Sequence, residues 1–210
     1  MKESEKRIAR QLLQINAIKL NSAKPFTWAS GWKSPIYCDN RKTLSYPELR
    51  TMIRDSFVKL ITKKYPQAQG IAGVATGAIA HGILVAEAMN LPFVYIRSST
   101  KGHGLKNLIE GHFEPKQQFV IIEDLISTGG SSLKAVDALR NAGCVVLGMA
   151  AVFTYGFSVA VENFLKADCT LDTLSNYEIL IEIALETGYV SESEIDTLKE
   201  WRKVPDRWRQ

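Results

Sequence analysis

The chain has 210 residues, 46% of them apolar and 23% charged, enough to bury one sizeable core and ordinary for a soluble globular protein. No apolar run reaches the roughly 18 residues of a membrane span, and the charged start Met1-Lys2-Glu3-Ser4-Glu5-Lys6 lacks the apolar centre of a secretory signal. A net charge of +4 favours anionic small ligands and is too mild to suggest nucleic acid, while three scattered cysteines, Cys38, Cys144 and Cys169, suit a reducing cytoplasm better than a disulfide framework or a zinc site.

Residues 5–20 carry Ile8, Leu12, Ile15 and Leu20 near helical spacing and predict an amphipathic helix ended by Asn21 and Ser22. Phe26 to Arg41 is aromatic, broken by Gly31 and Pro35, and reads as irregular chain leading into a short strand. A helix from about Pro47 to Lys64 follows. Ile71 to Val74 is a buried strand that runs into the small residues Ala75-Thr76-Gly77; Ile79 to Asn90 is then helical and Phe93 to Ile96 is a third strand. Ser98 to Asn107 has cations and glycines with almost nothing to bury, and reads as a mobile loop. Phe119 to Ile122 is a fourth strand, followed by a helix to Asn141 with Gly143 as its C-cap. Val145 to Phe153 is a fifth strand, Ser158 to Leu165 a helix, and Cys169 to Leu171 a short sixth strand. Asn176–Glu186 and Glu192–Trp201 are helices. Strands alternating with helices predict an α/β fold: a doubly wound, mainly parallel sheet of about five strands in a single domain.

The stretch after the fourth strand carries the most chemistry. Glu123 and Asp124 stand where that strand is expected to end, followed by Leu125, Ile126, Ser127, Thr128, Gly129, Gly130 and Ser131. In open α/β sheets ligands collect at the carboxyl ends of strands. Adjacent glycines let backbone N–H groups converge on an anion, hydroxyls add donors, and a helix N-terminus adds partial positive charge. Carboxylates repel phosphate and suit sugar hydroxyls or a metal, so the ligand that satisfies both halves is a sugar phosphate. The loop has no Gly-Lys-Ser/Thr and no Gly-x-Gly-x-x-Gly, which sets aside the P-loop and the dinucleotide fingerprint.

Three further strand ends contribute. Thr76 with its small neighbours suits either close approach by pyrophosphate or simple helix–strand packing. Arg97, Lys101 and His103 form a cationic group that would stabilise a leaving pyrophosphate as it gains charge; as charges in a row they would otherwise be a solvated loop. Trp28, Trp32 and Tyr37 could stack on a flat heterocycle or belong to a core or an interface. The tail Trp201 to Arg209 interleaves cations and aromatics and reads as a surface helix end.

Val120 to Ser132 resembles the phosphoribosyl-pyrophosphate (PRPP) signature of type I phosphoribosyltransferases, and its Glu-Asp-Leu-Ile-Ser-Thr-Gly-Gly-Ser form is similar to that of the orotate-using family. Phe26 to Gly31, Ser34 to Arg41, Arg97 with Lys101-Gly102-His103-Gly104, Asn107 to Gly111 and Val152 to Gly156 extend the likeness over nearly the whole chain. The resemblance implies the type I fold with a small hood from roughly residues 1–45, a core from 46–175 and C-terminal helices from 176–210. It implies transfer of ribose 5-phosphate from PRPP to orotate, with Glu123 and Asp124 on the ribose hydroxyls and Ser127 to Ser131 around the 5′-phosphate. By the same resemblance Arg97, Lys101, His103 and Thr76 bind pyrophosphate and Lys101, His103 and Asp124 are catalytic. Ser127, Tyr37 and Lys33 hold orotate. Mg²⁺ arrives on PRPP without a protein metal site, and the enzyme is a cytoplasmic homodimer with shared active sites, without nucleic-acid or membrane partners. The chain departs from many members in having Ala29, Ser98 and Tyr155 where they carry Lys, Lys and Arg. A PRPP-sensing regulator and a purine phosphoribosyltransferase remain the alternatives.

Overall fold

In the computed structural model, which describes residues 2–97 and 108–209, the chain order is α1 (Lys2–Gln14), β1 (Ile18–Leu20), β2 (Phe26–Thr27), β3 (Lys33–Ser34), β4 (Ile36–Cys38), a 3₁₀ turn (Asn40–Ser45), α2 (Pro47–Lys64), β5 (Gly70–Val74), α3 (Ile79–Met89), β6 (Phe93–Ile96), β7 (Ile109–Glu110), β8 (Gln118–Ile126), α4 (Gly130–Asn141), β9 (Val145–Thr154), α5 (Ser158–Lys166), β10 (Leu171–Asn176), α6 (Tyr177–Glu186) and α7 (Glu192–Lys203). The apolar runs assemble into one six-stranded sheet in the order β10-β9-β8-β5-β6-β7. Its pairings are parallel except that of β7, which runs antiparallel along β6. Strands so enclosed are apolar on both faces: Phe119, Val120, Ile121 and Ile122 have no exposed surface.

Successive crossovers leave the middle of this sheet in opposite directions, from β5 to β6 on one side and from β8 through β9 to β10 on the other. The strand order therefore reverses between β5 and β8, and a crevice opens at their carboxyl ends. The register sharpens that crevice. Gly73 pairs with Ile122 at the end of the β5–β8 ladder, whereas β8 stays paired with β9 as far as Ile126 and Thr154.

Three boundaries differ from the sequence expectation. The first helix ends at Gln14, because Asn16 turns the chain at φ 54° and Ile18–Leu20 then pairs antiparallel with Ile36–Cys38. The fourth strand is longer, so Glu123 and Asp124 lie within it. The sixth strand starts at Leu171 and extends to Asn176, whose side chain caps α6 by accepting from the Ile179 N–H at 3.1 Å.

The two ends of the chain pack together. α1 buries Ile8 and Leu12 completely and is tied to α6 by Lys6–Glu182 at 2.5 Å and Arg10–Glu186 at 2.9 Å. The tail is not the surface segment expected from its sequence. Trp201 is fully buried, Trp208 is buried, and Arg209 Nη1 donates to the carbonyl of Ser22 at 2.8 Å. None of the described helices is long and apolar enough to cross a membrane.

Candidate active site at the reversal of strand order

Past Ile122, β8 has no β5 neighbour, and Asp124 finds its main-chain partners elsewhere. Its N–H donates to Glu123 Oε1 at 2.9 Å and its carbonyl accepts from Asn40 Nδ2 at 2.6 Å. The other oxygen of Glu123 accepts from Ser132 Oγ at 2.8 Å, on the first turn of α4. Glu123 is 5% exposed, and burial, then the neighbouring charge of Asp124, pushes its carboxyl well above the usual carboxylate range. The two acids thus differ. Glu123 ties the strand to the helix behind it, and Asp124 is partly exposed.

Asp124 lies against the turn after β5. A Cβ placed on Gly77 would come within 2.4 Å of Asp124 Oδ2, so the carboxylate occupies the space a side chain would need. Between the two strand ends is a cavity of about 320 Å³ lined by Thr76 and Gly77, by Arg97, by Asp124 and Leu125, and by Ser131 and Lys134 among others. Arg97 is paired with Glu110 of β7 at 3.4 Å. A larger cavity of about 810 Å³ lies between α6 and α7, with Tyr177, Ile181 and Ile195 in its walls; it shares no lining residue with the crevice.

The loop from Ser127 leads directly into α4. Gly129 has φ 81°, in the left-handed region, and a Cβ there would meet Phe164 Cε2 of α5 at 2.8 Å. Among the described residues no protein acceptor takes the N–H groups of Ser127, Thr128, Gly129 or Gly130. Unclaimed donors at a helix N-terminus favour an anion. Anion-binding donors and an open carboxylate therefore stand side by side, the pairing expected for a phosphorylated sugar.

Of the residues singled out from the sequence, Thr76, Arg97, Glu123, Asp124, Leu125 and Ser131 meet around this one cavity. Ser127, Thr128, Gly129 and Gly130 form the adjoining loop. Ile126 closes β8 beside them: its side chain is fully buried and its carbonyl accepts from the Tyr155 N–H at 3.1 Å. Lys33 and Tyr37 stand on the β2–β3 and β1–β4 hairpins and do not line the cavity. Lys33 donates to Thr27 Oγ1 at 3.0 Å, and Tyr37, 41% exposed, packs against Phe26 with ring centres 5.7 Å apart. Lys101 and His103 lie outside the described residues.

The aromatics divide clearly. Trp28 is half-buried and packs against the core, on Tyr155 at 5.1 Å and on Trp201 at 5.7 Å, and donates Nε1–H to the Ile36 carbonyl at 3.0 Å. Tyr155 is itself buried, and the cation near it comes from α7: Arg202 donates to the carbonyls of Tyr155 and Gly156, each at 3.1 Å. Cys38 donates its thiol to Asn40 Oδ1 at 3.3 Å, and burial with nearby Asp124 and Asp39 pushes the thiol pKa up, away from a nucleophilic thiolate.

Two residues escaped the sequence reading. Lys134 follows Ser131 by three positions, about one helical turn, a spacing that could have pointed to it. Asn40 carried no local signal, since its partner is 84 positions away.

The phosphoribosyl transferase domain model matches residues 67–186. The chain is 59% identical to an orotate phosphoribosyltransferase of Bacteroides thetaiotaomicron over 99% of this chain and 98% of that one. It is 50% identical to one of Lactococcus lactis over 97% and 98% respectively. The crystal structure of orotate phosphoribosyltransferase from Aeropyrum pernix superposes with a TM-score of 0.76 at 24% identity, over 88% of this chain and 99% of that one, a likeness of fold.

Proposed function

This chain belongs to the orotate phosphoribosyltransferase family, and we propose that it transfers ribose 5-phosphate from PRPP to N1 of orotate, releasing pyrophosphate and forming orotidine 5′-monophosphate. The observation that carries this reading is the meeting of an open carboxylate and a loop of N–H donors, unclaimed among the described residues, at the reversal of strand order between β5 and β8. Ser127 to Ser131 take the 5′-phosphate. Asp124 faces the ribose hydroxyls, with Glu123 behind it holding its N–H. Thr76, Arg97, Lys101 and His103 receive the pyrophosphate, and Ser127, Tyr37 and Lys33 take orotate, closed over by the hairpins of residues 18–38 acting as a hood.

In the reaction the bond from C1′ to the pyrophosphate oxygen breaks and that oxygen keeps the electron pair. The N1 lone pair of orotate, its proton lost to solvent, forms the new bond at C1′ with inversion. The cations that follow β6 stabilise charge that grows on the leaving group, so they act more on the transition state than on the bound substrate. Asp124 offers a single open carboxylate, which suits Mg²⁺ carried by PRPP rather than a protein cage. When bound, Mg²⁺ would neutralise pyrophosphate charge. We also propose a cytoplasmic homodimer with shared sites; Ile83 of α3, 46% exposed, offers an apolar contact for a second copy, and three free cysteines suit a reducing compartment.

Loss of orotate absorbance on mixing with PRPP and Mg²⁺ tests the activity. PRPP bound without turnover would indicate a regulator, and turnover of a purine alone another transferase; either outcome overturns the reading. Asp124→Asn should raise the PRPP KM about tenfold or more, the worth of a hydrogen bond to a charged group. An unaltered KM would remove Asp124 from sugar binding.

A further inference from the structure

An anion cradle made of backbone has a difficulty built into it, because every donor N–H comes with a carbonyl oxygen that repels the ligand. Here four of the carbonyls along this stretch are taken by other parts of the chain or by the helix. Asp124 O accepts from Asn40 Nδ2 at 2.6 Å. Ile126 O accepts from the Tyr155 N–H at 3.1 Å and from Thr154 Oγ1 at 3.3 Å. Thr128 O accepts from Asn163 Nδ2 at 3.0 Å, and Gly129 O from the Leu133 N–H at 2.9 Å. The two supplied by main chain come with the fold. The other two depend on single asparagine side chains from distant parts of the sequence, one in the N-terminal segment and one on α5.

Both are held where they act. Asn40 is 1% exposed; its Oδ1 accepts from Cys38 Sγ, and its carbonyl accepts from Thr43 Oγ1 at 2.5 Å. It substitutes for the β5 strand that has ended beside Asp124. Asn163 is next to Phe164, whose ring lies under Gly129, so consecutive residues of α5 grip consecutive residues of the loop.

We propose that Asn40 and Asn163 are positioning residues of the anion loop: by pinning the carbonyls of Asp124 and Thr128 outward, they hold the N–H groups between them toward the 5′-phosphate and Asp124 toward the sugar. The inference rests on the reading of this loop as the 5′-phosphate site. Neither asparagine acts at the pyrophosphate end, which is built from β5 and β6, and this separation makes the idea testable.

The test uses the full chain and titration calorimetry with ribose 5-phosphate and, separately, with pyrophosphate and Mg²⁺, alongside KM values for PRPP and orotate. Asn163→Ala should weaken ribose 5-phosphate about tenfold and raise the PRPP KM to match, while pyrophosphate affinity and orotate KM change less than twofold. Asn163→Asp should weaken it further, since a carboxylate cannot donate and adds negative charge near the phosphate, and Asn163→Gln should recover part of the loss. Asn40→Asp, nearly isosteric, should reproduce the selective effect even where a larger change would prevent folding. Unchanged ribose 5-phosphate affinity in Asn163→Ala, or equal loss for both ligands, overturns the proposal. A wild-type chain that does not bind ribose 5-phosphate at all overturns the underlying reading with it.

Discussion

His81 lies at the far end of the same hydrogen-bonded chain that reaches Asp124. Thr43 Oγ1 gives its proton to the Asn40 carbonyl, so the contact of 3.1 Å between Thr43 Oγ1 and His81 Nε2 requires the imidazole to donate from Nε2. Nδ1 is then the basic nitrogen, buried and without a partner among the described residues. A proton added there would be buried without an acceptor among the described residues, and burial lowers the pKa from 6.5 to about 4. Between those values the unfolded chain binds more protons than the folded one, so stability falls as pH drops below 6.5, by about 2 kcal/mol at pH 5. Glu123 works in the opposite sense, because its raised pKa makes the folded chain the better proton binder above the usual carboxylate range. Comparing wild type with His81→Gln isolates the histidine. Urea midpoints at pH 7 and pH 5 should fall more in wild type than in the variant; parallel losses would show that His81 does not report on acid.

α7 illustrates how an element is fixed by its packing rather than by its pattern. Trp201 sits 5.7 Å from Trp28, 5.4 Å from Phe157 and 5.4 Å from Tyr177 between ring centres, yet its Nε1–H is buried with no acceptor among the described residues. Trp201→Ala should cost about 3–5 kcal/mol, the range for large aromatics in cores. Trp201→Phe keeps a ring and removes the orphan donor, so it should cost less than about half as much in guanidinium unfolding; equal costs would mean that the unpaired N–H carries no penalty. Long-range packing of this kind is what the sequence does not disclose. Strands buried on both faces are legible as apolar runs, and the acid-glycine loop is legible because its residue types have few other uses. The extension of β8 through Glu123 and Asp124 is not, since carboxylates depress strand propensity and it takes the β9 pairing, with Asn40 on the Asp124 carbonyl, to hold them there. Nor is the turn at Asn16, because Ile15 and Leu20 beyond it keep the helical spacing of Ile8 and Leu12.

At the scale of the whole molecule the crevice is assembled from parts remote in sequence, and the chain ends brace the part the sequence described least well. Asn40 joins the N-terminal segment to β8. Ser22 Oγ donates to Glu194 of α7 at 2.7 Å, and Arg209 donates to the Ser22 carbonyl while lying over the Trp208 ring at 4.6 Å. The cation-rich tail is therefore a strap on residues 18–38, the segment proposed to close over the base. Ending the chain after Lys203 would expose the pocket now filled by Trp208, 5% exposed, at a cost of about 3 kcal/mol for one large aromatic. The loss should be felt locally, because the parallel sheet keeps its own core and the tie removed with Arg209 leads to Ser22. Hydrogen exchange should quicken in peptides from residues 18–38 and stay unchanged in 118–126, with orotate KM rising more than PRPP KM. Uniform acceleration across the sheet would instead make the tail part of the global core, and unchanged exchange in 18–38 would make it no strap at all.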